Sequence, residues 1–148
     1  MALIAVYGSA IVLSDGTYIQ PSVGVHDLKK EPNGGSSLVL RTTDDGDHWE
    51  IATVAKPTPA ISFNETSVTQ APNGDLVAVM RTNPQKELWT TISKDDGKTW
   101  SAPHDSGMRG STPWVVTTNK GLMVAVYSRR STPLFPTTGM YACVRRDN

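Results

Sequence analysis

Two octapeptides constrain this chain more than any other feature: Thr42-Thr-Asp-Asp-Gly-Asp-His-Trp49 and Ser93-Lys-Asp-Asp-Gly-Lys-Thr-Trp100. Each sets an aspartate (Asp44, Asp95) where its carboxylate can accept hydrogen bonds from turn N–H groups, and a glycine (Gly46, Gly97) where positive φ is needed. Each also follows a hairpin of one plan, an apolar strand, a glycine turn and a second apolar strand. That plan is written three times, over Ala10 to Ile19, Ser67 to Arg81 and Trp114 to Arg129, with turn glycines Gly16, Gly74 and Gly121. A third strand leads from each of the first two hairpins into its octapeptide.

The remaining apolar residues fall in short β-branched and aromatic runs with no sustained 3.6-residue period, which predicts an all-β fold. Turn signals at Ser14-Asp15-Gly16, Asn33-Gly34-Gly35, Asn73-Gly74-Asp75 and Asn119-Lys120-Gly121 cut the chain at short intervals. Such punctuation suits a sandwich, a barrel or a propeller. The internal repeat, roughly 40 to 50 residues long, decides for propeller blades.

Ser93 to Trp100 resembles a complete Asp box, the Ser-x-Asp-x-Gly-x-Thr-Trp motif of sialidase (neuraminidase) repeats, and Thr42 to Trp49 is a close variant. The resemblance covers nearly the whole chain and implies four-stranded blades, with Trp49 and Trp100 as wedges between sheets. The boxes themselves are structural in that family, on the face away from the active site. Blade 1 then spans about 9–55, blade 2 about 63–108 and blade 3 about 112–148. The third lacks its fourth strand, while Ala2 to Tyr7 is a spare strand at the other terminus. Three blades make half of the six-bladed ring of the sialidases. The expectation is a head-to-tail homodimer in which residues 2–7 complete the last blade of a partner chain. The competing reading is one sector of a longer sialidase-like enzyme.

Fourteen Lys plus Arg balance fourteen Asp plus Glu, so no overall field draws the chain to nucleic acid or an anionic membrane. Its apolar stretches are too short to span a bilayer as a helix. The single Cys143 cannot form an internal disulfide, and no His/Cys spacing suits a metal, so neither metal nor cofactor is expected. No export signal is visible near Met1, which fits a cytoplasmic protein or a secreted one already processed.

Strand parity sends Arg41 and Arg145 to the Asp-box face and His26, Asp27, Glu65, Arg81, Arg129, Arg130 and Arg109 to the opposite one. In sialidase-like proteins that opposite face holds the substrate. The resemblance implies an arginine clamp on a sugar carboxylate, for which Arg81 fits best, with Arg129 or Arg130 as a second member. It also implies a tyrosine nucleophile polarised by a glutamate, with Glu65 in the second role, Tyr18 or Tyr127 as candidates for the first, and Asp27 as general acid. Trp89 is a candidate to stack on a sugar ring, or to pack between blades. Glu65 and Arg81 also fit a silent ion pair at the edge of a strand. Three functions are open: a glycoside hydrolase or its catalytically degenerate remnant, a module binding acidic carbohydrate, and a scaffold propeller.

Overall fold

The computed structural model describes residues 3–25, 35–84, 87–129 and 137–145. Twelve strands form three antiparallel sheets, and no helix occurs among the described residues. The first sheet orders β1 (Leu3–Val6), β3 (Tyr18–Val25), β4 (Ser36–Thr42) and β5 (Glu50–Ala55), with β2 (Ile11–Val12) also on β3. The second runs β6 (Ser62–Gln70), β7 (Leu76–Asn83), β8 (Glu87–Ser93) and β9 (His104–Arg109). The third holds β10 (Ser111–Thr117), β11 (Met123–Arg129) and β12 (Gly139–Arg145).

The hairpin opening each sheet turns in the same way. Leu13 N–H donates to Thr17 O (2.9 Å) and Gly16 N–H to Leu13 O (3.0 Å). The pattern recurs as Ala71 to Asp75 with Gly74 to Ala71, and as Thr118 to Leu122 with Gly121 to Thr118. Each glycine has φ between 76° and 92°, the left-handed position that closes a three-residue hairpin loop. The repeat read from sequence is therefore a repeat of backbone geometry.

Alternation along the strands gives each sheet a leading and a trailing face. Ile19, Val39, Val54 and Leu13 on the trailing face of the first sheet pack against Phe63, Val68, Leu76, Ala78 and Met80 on the leading face of the second. Val79 and Leu88 on the trailing face of the second meet Val115 and Ala125 of the third. Hydroxyls bridge both seams near the first strands. Ser37 Oγ and Thr66 Oγ1 share a bond of 2.7 Å, and Ser67 Oγ accepts from Val115 N–H at 3.0 Å.

Within the chain, residues Leu3–Val6 pair with β3 of their own sheet, from Leu3 opposite Val25 to Val6 opposite Ser22. Gly8 (φ 78°) bends the chain beyond them, and β2 resumes the pairing with Ile11 opposite Ile19. Thus β1 and β2 are halves of one broken first strand. Among the described residues the third sheet has three strands, with β12 at its edge.

Both Asp boxes close as anticipated. Asp44 Oδ1 accepts from His48 N–H (3.0 Å) and Thr42 Oγ1 (2.8 Å), and Asp95 Oδ1 accepts from Thr99 N–H (2.9 Å) and Ser93 Oγ (2.8 Å). These donors hold each carboxyl at about 2, with the bonds from His48 and from Thr99 dominating. A depressed carboxylate contributes stability above its ordinary pKa of 3.8 that is lost as pH falls through about 2. The urea midpoint should therefore drop across that window, and the drop should flatten in an Asp44→Asn, Asp95→Asn double variant. An unchanged slope would show the turns to be energetically idle.

The two box tryptophans differ. Trp100 packs against the core between the first and second sheets and donates from Nε1 to Gly97 O (3.1 Å), whereas Trp49 is half-exposed. Of the two, Trp100 alone is wedged between two of the described sheets.

The crossing from β9 to β10 leaves no space at Gly110. A Cβ there would lie 2.4 Å from Ser128 O and 2.7 Å from Tyr127 Cδ2. Gly110→Ala should cost ~1–3 kcal/mol by forcing the third sheet outward, read as a lower melting temperature. An unshifted melt would mean the strand moves freely.

Candidate functional site

The first strand of every sheet is irregular at one level. In the first sheet the break lies between Val6 and Ile11, in the second the register shifts between Phe63 and Thr66, and in the third between Ser111 and Trp114. A bulge leaves a residue outside the ladder and re-aims its side chain. Counted back from the turn glycines Gly16, Gly74 and Gly121, the matching positions are Tyr7, Glu65 and Thr112. Thr112 is held at φ 55°, a conformation that β-branched residues rarely adopt.

At the second bulge, Arg81 Nη1 donates to Glu65 Oε1 at 2.7 Å. The pair is partly sheltered, with side chains 36% and 21% exposed for Arg81 and Glu65 respectively. Glu65 Oε2 is shielded from solvent and has no hydrogen-bond partner among the described residues. The other guanidinium N–H groups of Arg81 likewise remain uncommitted there. Tyr7 lies within electrostatic reach of both. Burial first, and then the Glu65 carboxylate, push its phenol above the ordinary value, while Arg81 opposes them. A Tyr, Glu and Arg set thus gathers where the first and second sheets meet.

The sequence reading paired Glu65 with Arg81 but missed Tyr7. Its signal was the repeat itself, since Tyr7 stands before Gly16 as Glu65 stands before Gly74. Tyr127 instead stacks on Tyr141, with ring centroids 5.9 Å apart and planes at 18°, and packs on the core of Val79, Leu88 and Val115. Tyr18 is exposed on the leading face of the first sheet. Arg129 places its guanidinium 5.3 Å from the centroid of the Tyr141 ring. Arg109 is held by Asp105 through two bonds (3.0 and 3.1 Å) and lies 3.4 Å from Glu87. His26, Asp27 and Arg130 lie outside the described residues.

Trp89 follows the packing alternative. Its ring meets Phe63 edge-on at 5.9 Å and lies against the core, with Nε1 buried and unbonded among the described residues. Its remaining surface lines a cleft of about 520 Å³ with Lys56, Ile61, Phe63 and Pro103. Arg41, assigned to the Asp-box side, is almost fully buried. It donates from Nε to Asp96 O (2.7 Å) in the second box and from Nη1 to Glu50 (2.7 Å). Among the described residues, no three His, Cys, Asp or Glu side chains cluster as metal ligands.

Comparison with known proteins places these features in a family. A sialidase of Bacteroides fragilis (strain YCH46) is 30% identical over 102 residues, covering 69% of this chain and 17% of the relative. A protein of unknown function from Dyadobacter fermentans DSM 18053 superposes with a TM-score of 0.77 at 25% identity, over 93% of this chain and 36% of that one. The NanB sialidase of Streptococcus pneumoniae follows with a TM-score of 0.65 at 16% identity, over 93% and 24%. The chain therefore spans well under half the length of each of these relatives. With its paired Asp boxes, its thrice-repeated hairpin and a match running from residue 2 to residue 147, it belongs to the BNR repeat-like domain family.

Proposed function

We propose that this chain forms three blades of a sialidase-like β-propeller and recognises an acidic sugar at the Tyr7, Glu65 and Arg81 cluster, as a glycoside hydrolase or a catalytically degenerate relative of one. The observation that carries this reading is the 2.7 Å Arg81–Glu65 bond, with one carboxylate oxygen left unbonded beside a tyrosine. Glu65 fixes the guanidinium through one nitrogen, and the remaining donors form the planar fork that suits a carboxylate.

The raised phenol of Tyr7 has a mechanistic consequence. At rest it is protonated, so attack on an anomeric carbon requires a base to take its proton in the same step. The free oxygen of Glu65 is the base at hand. A general acid is also needed, and Asp27, which strand parity assigns to the same face, is the candidate.

The same raised phenol favours a second reading, a binding module that keeps the arginine clamp without turnover. Hydrolysis of a fluorogenic sialoside separates the two. The enzyme reading predicts turnover that Glu65→Gln and Tyr7→Phe each abolish while sugar binding persists. The module predicts saturable binding of free sialic acid with no turnover. Neither binding nor turnover would sink both and leave the scaffold.

A further inference from the structure

The repeat that joins Glu65 to Arg81 recurs in the third sheet with different chemistry. Counted from the turn glycines Gly74 and Gly121, Thr112 stands where Glu65 does and Ser128 where Arg81 does. The two are bonded to each other as their counterparts are, with Thr112 Oγ1 3.0 Å from Ser128 Oγ. A pair of hydroxyls thus replaces the ion pair. The strands that carry Glu65 and Thr112 are neighbours: Ser67 Oγ accepts from Val115 N–H, and Thr69 Oγ1 donates to Thr117 Oγ1 at 3.0 Å, so β6 and β10 lie side by side below their bulges. Across the preceding seam, the matching bulge residues Tyr7 and Glu65 are close enough to interact electrostatically. Thr112 stands to Glu65 as Glu65 stands to Tyr7, one sheet further along.

Thr112 is exposed, and its backbone is held at φ 55°, where glycine would sit without strain and a β-branched residue does not. Strain kept at such a position points to a use for the side chain. Its hydroxyl is oriented by a count of hydrogens. Ser128 Oγ has one, which it donates to Ser111 O at 3.1 Å. The bonds that Ser128 Oγ shares with Thr112 Oγ1 (3.0 Å) and Ser111 Oγ (3.1 Å) therefore take their hydrogens from those two hydroxyls. The one hydrogen of Thr112 is committed, and no donor among the described residues reaches its lone pairs. Thr112 faces solvent as an acceptor, at the level where Arg81 offers donors.

We infer that Thr112 is a specificity-determining residue of the Arg81 site: with a sugar carboxylate on the Arg81 guanidinium, Thr112 Oγ1 accepts a hydrogen bond from a donor on the sugar ring, a hydroxyl or an acylamino N–H. The two residues make opposite demands on the ligand. A carboxylate has nothing to donate to Thr112, so the sugar is seated in one orientation, and an acid without ring donors gains nothing from this residue. This inference rests on the acidic-sugar reading of Arg81 and adds to it the substituent that the neighbouring sheet selects.

Titration of N-acetylneuraminic acid into Thr112→Val tests it, because valine keeps the β-branched shape and removes only the hydroxyl. Affinity should fall about 5- to 10-fold, the effect of one neutral hydrogen bond. Tetrahydropyran-2-carboxylic acid, which has the ring and the carboxylate without other donors, should bind the variant and the unmodified chain equally. Thr112→Gly removes the hydroxyl and the strain together, and should bind N-acetylneuraminic acid as weakly as the valine variant with its melting transition retained. A loss that persists with 2-keto-3-deoxynononic acid, which carries a hydroxyl in place of the acylamino group, assigns the donor to a hydroxyl; a loss confined to N-acetylneuraminic acid assigns it to the amide. Undiminished binding by Thr112→Val overturns the inference, as does an equal loss for the donor-free acid, which would make Thr112 a support of the Arg81 contact. Arg81→Ala, titrated alongside, keeps the two readings apart. Binding lost there and undiminished in Thr112→Val defeats this inference alone. Binding retained in Arg81→Ala, or absent from the unmodified chain, defeats the acidic-sugar reading and this inference with it.

Discussion

Arg81→Ala is expected to weaken binding of an acidic sugar about 10²- to 10³-fold. The guanidinium offers at least two charge-assisted bonds to a ligand carboxylate, together worth ~3–4 kcal/mol, and each ~1.4 kcal/mol is a factor of ten. The fold should tolerate the change, because the side chain is more than a third exposed and its one bond goes to Glu65. Arg81→Lys should recover only part of the loss, since an ammonium is a point charge without the planar fork. Isothermal titration with sialic acid, with the melting temperature as a control on folding, measures all three proteins. Equal affinity in Arg81→Ala would leave the pair as a silent contact between strands.

The second large effect concerns stability and lies at the opposite end of the sheets. Arg41→Met should destabilise the chain by ~2–3 kcal/mol, because a charged hydrogen bond to a carbonyl at a sheltered seam is lost. The guanidinium reaches from β4 to Asp96 O in the second Asp box, and its methylenes lie near Gly97. Its side chain is only 4% exposed, against 77% for Glu50, so the glutamate returns to water at little cost. Glu50→Gln should therefore cost under ~1 kcal/mol, the range of exposed ion pairs. A melting temperature lowered by ~5–10 °C for the arginine variant and by a small fraction of that for the glutamine variant would bear this out. Equal shifts would place the energy in the ion pair instead.

These two arginines show how far the residues alone could be read. Turn chemistry was legible wherever the described residues include the turn; the Asn33-Gly34-Gly35 signal lies largely outside them. The Asp boxes and the glycines Gly16, Gly74 and Gly121 impose local geometry that no distant contact overrides, and strand parity followed from them. Parity put Arg41 and Arg81 at opposite ends and Glu65 beside Arg81. The burial of Arg41 was hidden, because it depends on the box of a neighbouring sheet folding over it. The pairing of Leu3–Val6 was hidden for a related reason. A short apolar segment suits any free strand edge, and the bend at Gly8 separates it from β2 while both pair with β3. Once that strand is seated, Tyr7 comes to the Glu65–Arg81 pair, a position invisible while residues 2–7 were assigned to another chain.

Trp49 makes the same point from the other direction. Its box is a near copy of the one before Trp100, yet one indole is wedged and the other half-exposed. Local sequence specifies the turn, whereas the seam needs two sheets. The same distinction separates the shared fold from the site, since superposition with sialidases at 16% identity speaks for the arrangement of strands alone.

The most direct test of the Tyr7, Glu65 and Arg81 cluster as an acidic-sugar site is a crystal structure of the chain with sialic acid bound. The ligand carboxylate should lie within hydrogen-bond distance of the Arg81 guanidinium, with the Glu65 contact retained and the Tyr7 hydroxyl facing the sugar ring. A sugar seated elsewhere, with Arg81 touching only Glu65, would contradict it.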